Sequence, residues 1–151
     1  MELKRVVVTG IGAVSPLGNS AAETWQKLLD GVSGAAPITH FDATEFKTQF
    51  ACELKGFKAE DFIDRKEARK MDPYCHYAMA AASMAMDDSA IDLESIDKNR
   101  VGVVFGVGIG GMKTFEDEIT NYALHKDTLG PKFNPFFVPK MIADICAGQI
   151  S

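Results

Sequence analysis

The chain has 151 residues, the length of one domain, and its 46% hydrophobic and 25% charged content is an ordinary globular balance that can bury a core. A formal net charge of −5 argues against a general nucleic-acid binder. Three cysteines with no C-x-x-C pair make neither a disulfide framework nor a zinc site, and they fit a reducing cytosol.

From the N-terminus, Lys4–Thr9 is a β-branched run that predicts a buried strand. Lys4-Arg5 followed by "VVVTGIGAV" mimics a signal peptide, but Thr9, Gly10 and Gly12 interrupt it and Ser15-Pro16 stops it, so strand and turn is the better reading. No run approaches the ~20 apolar residues of a membrane span. Ser20 and Glu23 form an S-x-x-E capping box, Trp25, Leu28 and Leu29 form an apolar stripe, and Gly31 supplies the helix stop. Residues 32–46 read as irregular. "FKTQFACEL", 46–54, alternates as a half-exposed strand in a hairpin or at an edge. Residues 58–70 are charged and helical in pieces.

Asp72-Pro73 is a strong helix start, since Asp caps and Pro suits the first turn. The following "PYCHYAMAAASMAMDDSA" is small and apolar most of the way round, as in a helix buried between layers. Val101–Phe105 predicts a second buried strand, leading through Gly106, Gly108, Gly110 and Gly111 into a helix over about 112–124. "KDTLGPKFNPFFVP" reads as a proline-limited loop, and a last apolar helix begins at Lys140. Two apolar strands separated by helices predict an α/β fold with more covering helix than sheet, the front part of a larger domain.

The glycines of "VGVVFGVGIGGM" satisfy G-x-G-x-x-G, but a dinucleotide site also needs a second strand ending in an acid about 20 residues on. The acid at that distance, Asp127, follows no β-branched run, so close packing or positive φ explains the glycines better. His40, His76 and His125 are scattered, and Cys146 among Ile145, Ala147 and Ile150 reads as a buried hydrophobe. "RKEARK", 65–70, holds four cations and one anion in an acidic chain, with Lys66, Arg69 and Lys70 at helical spacing. Such a cluster is either a solvated face or a docking patch for an acidic partner.

Four stretches in order, "RVVVTGIGAVSPLGNS", "IDRKEARKMDPYCHYAMAAASMAMDDS", "RVGVVFGVGIGGM" and "NPFFVPKMIADICAGQIS", resemble the β-ketoacyl-[acyl carrier protein] synthases, and the resemblance covers the whole chain. Type I synthases tend to have glycine where this chain has Ile109, so the chain is most similar to the type II, elongating enzymes of bacterial fatty acid synthesis. Polyketide ketosynthases share the framework. A non-catalytic chain-length-factor-like or carrier-binding partner would keep the docking patch and lack the nucleophile.

The resemblance implies a thiolase-like α/β fold, with residues 1–151 as the first part of its N-terminal half. It implies a cytoplasmic homodimer without cofactor, metal, nucleic-acid or membrane partner. It further implies a ping-pong decarboxylative condensation: a cysteine takes the acyl chain from acyl carrier protein, malonyl-loaded carrier loses CO2, and the carbanion attacks the thioester. The family's nucleophile and its two histidines and lysine lie beyond Ser151, so no catalytic residue is expected within 1–151. By the same resemblance Lys66, Arg69 and Lys70 match the carrier-docking patch, Ile109 the gate of the acyl pocket, and Phe137 the position reaching towards the partner subunit's pocket.

Overall fold

The computed structural model describes residues 3–151, which divide into two compact units. One holds the residues up to Lys58 together with Ala81–Ile91; the other holds Ala59–Ala80 and Asp92–Ser151. Helix α3, Pro73–Ser89, supplies its first half to the second unit and its second half to the first.

In the first unit the capping box builds α1, Ala21–Leu29. Ser20 Oγ accepts from the Glu23 amide at 3.1 Å, while the Glu23 carboxylate accepts from the Asn19 amide at 2.9 Å and pairs with Lys27 at 2.7 Å. At the other end Gly31 takes φ +67°, and the amides of Gly31 and Val32 return to the carbonyls of Leu28 and Lys27, closing a Schellman motif. The stripe of Trp25, Leu28 and Leu29 stays exposed. Strands β1, Ala36–Pro37, and β2, Phe50–Ala51, pair antiparallel with Ala36 opposite Ala51. The alternating segment is therefore hairpin-like as expected, but only its centre is laddered, and its partner falls within the stretch that reads as irregular.

Lys4–Thr9 departs from expectation. It forms no strand, and Val6 is 88% exposed. A β-branched run specifies a strand only where another strand satisfies its amides and carbonyls, and none does so among the described residues. The next three residues are firmly held. Gly10 and Gly12 lie on the carbonyls of α3, where a Cβ on Gly12 would stand 1.9 Å from the Ala81 oxygen, and the Ile11 amide donates to Asp88 at 2.8 Å.

The second unit is helical: α2, Arg65–Ala68; the first half of α3; α4, Met112–Leu129; α5, Phe137–Met141; and α6, Ile145–Ile150, with single 3-10 turns at Ala59–Asp61 and Lys98–Arg100. Its core gathers Ile63, Ala68, Met71, Cys75, Ala78 and Cys146. Val101–Phe105 also forms no strand, and Val104 is 99% exposed. Helix α4 runs five residues past its expected end, to Gly130 at φ +70°. The expected last helix is broken at Ile142, whose ψ of 128° is extended, and the Met141 carbonyl accepts instead from the Gly111 amide at 3.1 Å.

One buried acid organises this unit. Asp72, 3% exposed, caps α3 by accepting from the Tyr74 amide at 3.2 Å through Oδ1. Its Oδ2 accepts from the Thr114 amide at 3.0 Å and the Thr114 hydroxyl at 2.7 Å. Helix α4 starts after Gly111, which has no side chain to cap it. Asp72 thus caps two helices, one in its own chain segment and one across the unit.

Candidate functional site

The basic segment is held by a helix cap, a buried alanine and a histidine hydrogen bond. Asp64 caps α2 by accepting from the Lys66 amide at 2.8 Å, Ala68 points into the core, and His76 Nε2–H donates to the Ala68 carbonyl at 2.8 Å. With Ala68 turned inward, Arg65, Lys66, Arg69 and Lys70 are all left exposed. They are not equivalent: Lys70 Nζ pairs with Glu67 at 2.7 Å, while among the described residues neither Lys66 nor Arg69 forms an ion pair.

The glycine loop divides in two. Gly106 and Gly108 have open space where a Cβ would sit. Gly110, at φ +94°, and Gly111 lie against the chain at α5, where a Cβ on Gly111 would stand 2.2 Å from the Lys140 oxygen. The expectation of close packing or positive φ therefore holds for the second pair, with positive φ at Gly110 alone, and not for the first. This clasp leaves Ile109 69% exposed at the mouth of an apolar cleft of about 370 Å³ that also takes in Met112, Phe115, Met141 and Ile142.

Phe137 does not line that cleft but touches its wall. Its ring stacks on Phe115 at 6.2 Å and on Phe133 at 5.6 Å, and Phe133 stacks on Tyr122 at 5.0 Å. Phe115 thereby joins the two sequence-predicted pocket residues. Sequence reasoning does not single it out, although its spacing with Ile119 and Tyr122 along α4 is a legible helical face.

The two buried thiols carry no sign of activation. Cys75 and Cys146 are fully buried, and burial pushes both up, Cys146 to about 11. Cys52 is exposed. Among the described residues no group of three or more His, Cys, Asp or Glu side chains could hold a metal ion.

The family model described as "Beta-ketoacyl synthase, N-terminal domain" matches residues 3–151. The 3-oxoacyl-[acyl-carrier-protein] synthase 2 of Synechocystis sp. is 44% identical over 149 residues, covering 98% of this chain and 35% of the relative. That of Staphylococcus aureus (strain COL) is 46% identical over 151 residues, with the same coverage of 98% and 35%. The chain thus spans about a third of these relatives' length. Among solved structures, the ishigamide ketosynthase/chain length factor superposes with a TM-score of 0.84 at 27% identity, over 95% of this chain and 35% of that one. A type II polyketide ketosynthase, in complex with its acyl carrier protein, superposes with a TM-score of 0.77 at 28% identity, over 99% of this chain and 38% of that one. These neighbours are the thiolase-like ketosynthases, so the helices seen here are the covering helices expected of that fold.

Proposed function

Because the chain belongs to the β-ketoacyl synthase family through its N-terminal domain, we propose that it works as part of a 3-oxoacyl-[acyl carrier protein] synthase of fatty acid elongation. The observation that carries this reading is the 44–46% identity to synthases of that name over 98% of the chain. Identity to the ketosynthase/chain length factor and the type II polyketide ketosynthase is lower, at 27–28%. The reaction divides carbon–carbon bond formation into two steps. An enzyme thiolate attacks the acyl carrier thioester and releases the carrier thiol. Malonyl carrier then loses CO2, its carbanion attacks the acyl carbonyl, and the carbon–sulfur bond to the enzyme breaks to give the 3-oxoacyl carrier.

Residues 1–151 supply surfaces for this chemistry rather than its catalytic groups. Buried, protonated Cys75 and Cys146 are poor nucleophiles, which supports a nucleophile elsewhere. Lys66, Arg69 and Lys70 dock the acidic carrier, Ile109 gates the acyl chain, and Phe137 faces the acyl pocket of the second subunit in a cytoplasmic homodimer. Among the described residues no helix is long and apolar enough to cross a membrane.

The test is condensation by the full-length protein, read as 14C-labelled CO2 released from malonyl carrier and as 3-oxoacyl product. Absence of both with acyl carrier supplied would overturn the proposal. Release of CO2 without condensed product would favour the chain-length-factor-like alternative. Within the same assay, Ile109→Phe narrows the cleft mouth and should shift the product profile to shorter chains by several-fold in relative rate. An unaltered profile would remove Ile109 from the pocket.

A further inference from the structure

The four cations of residues 65–70 share one anion, and that anion is already engaged. Glu67 lies three positions before Lys70, and its carboxylate holds the ammonium at 2.7 Å, with both side chains about half exposed. Lys66 and Arg69 are open, and the segment beneath is fixed by the Asp64 cap, buried Ala68 and the His76–Ala68 bond. Of the three docking cations, an acidic partner meets Lys66 and Arg69 at once, with Arg65 likewise exposed beside them. It reaches the third only by exchanging one of its own carboxylates for Glu67.

We propose that Glu67 is a specificity-determining residue of the carrier-docking patch, an internal counter-ion that withholds Lys70 until a partner offers a carboxylate to replace it. This rests on the docking role assigned above to Lys66, Arg69 and Lys70. An exchange of one carboxylate for another returns little net affinity, because the pair that forms replaces a pair that breaks. It imposes a geometric condition instead. A partner with diffuse negative charge engages Lys66 and Arg69 alone, whereas one with a carboxylate at the Glu67 position engages all three. The same exchange keeps binding reversible: on departure Glu67 reoccupies Lys70, so the ammonium is never left without a counter-ion. A partner that must leave after each half-reaction, as a loaded carrier does in a two-step scheme, requires that reversibility.

The experiment is a double-mutant cycle on the full-length protein, reading the dissociation constant of acyl carrier protein at low and high ionic strength. Glu67→Gln keeps helix propensity and exposure, so the fold is retained, as circular dichroism verifies. It should tighten carrier binding about two- to fivefold at low salt, with the gain shrinking at high salt. Lys70→Ala should weaken binding by a larger factor in the Glu67→Gln background than in the parent, since the freed lysine then contributes fully. Equal factors in the two backgrounds would mean that Glu67 acts only as one more surface charge, and the proposal would fall. Charge reversal at Lys66, Arg69 and Lys70 together separates the docking role from the role of Glu67. Carrier binding unchanged by that triple variant overturns the docking role itself and the role of Glu67 with it. Binding lost in the triple variant but indifferent to Glu67→Gln overturns only the role of Glu67.

Discussion

A thiol reacts as its thiolate, and burial penalises the thiolate because the charge loses its water. Cys75 and Cys146 have no exposed surface, and burial is the first cause raising both, Cys146 to about 11 from an ordinary 9.0. Iodoacetamide at pH 8 should therefore modify Cys52 in the folded chain and reach Cys75 and Cys146 only after unfolding, as peptide mass spectrometry would read. Labelling of Cys146 at the rate of Cys52 would contradict the burial argument. The same groups set an alkaline limit. Well below pH 9 these two cysteines are protonated in folded and unfolded chains alike, so they add no pH dependence there. Between pH 9 and about 11 the unfolded chain releases protons that the folded chain keeps, so stability should fall across that window in denaturant titrations. The burial of Cys146 is legible from its apolar neighbours. The dual role of Asp72 is not, because sequence spacing shows the α3 it precedes and cannot show a contact with Thr114 of α4, 42 residues on.

At the scale of elements, helix ends are the most legible feature. Ser20, Gly31 and Asp72-Pro73 each act within a few residues, and each marks a helix end that the structure shows. The strands are the least legible, since Lys4–Thr9 and Val101–Phe105 have the right composition and no ladder, and a strand is defined by a partner its own sequence does not contain. Asp72 gives the sharpest energetic test at this scale. Asp72→Ala removes the caps of α3 and α4 together and should cost about 2–4 kcal/mol in denaturant unfolding, with Thr114→Val costing about 1 kcal/mol because the backbone bond survives. A loss under about 0.5 kcal/mol for Asp72→Ala would show that water replaces both caps. The glycine loop gives a paired test. Gly111→Ala meets backbone and should cost about 2 kcal/mol or more, whereas Gly106→Ala meets open space and should stay within about 1 kcal/mol. Equal costs would mean that the loop shifts freely off α5.

At the scale of the whole molecule, large apolar side chains stand exposed in both units, among them Val6, Val8, Trp25 and Leu29 in one and Val104, Ile109 and Leu124 in the other. Monomeric soluble proteins rarely expose contiguous patches larger than a few hundred Å². The 151-residue chain in isolation should bind a hydrophobic dye such as anilinonaphthalene sulfonate in its folded state and self-associate at micromolar concentration, read by fluorescence and light scattering. A dye-silent monomer would show that these side chains close over one another in solution. Composition could not foretell this, because a 46% hydrophobic content fixes how much apolar surface exists and not where it is covered.

The bond from Asp72 to Thr114 also has a meaning for chain length. It joins two points 42 residues apart, and residues 91–100 between them are exposed throughout. The entropy of closing such a loop grows only logarithmically, by about 0.6 kcal/mol for each doubling of its length. Inserted residues in that exposed stretch would therefore lengthen the path between the two helix starts while barely loosening the carboxylate that joins them. The tie makes the intervening turn a place where the sequence is free to grow.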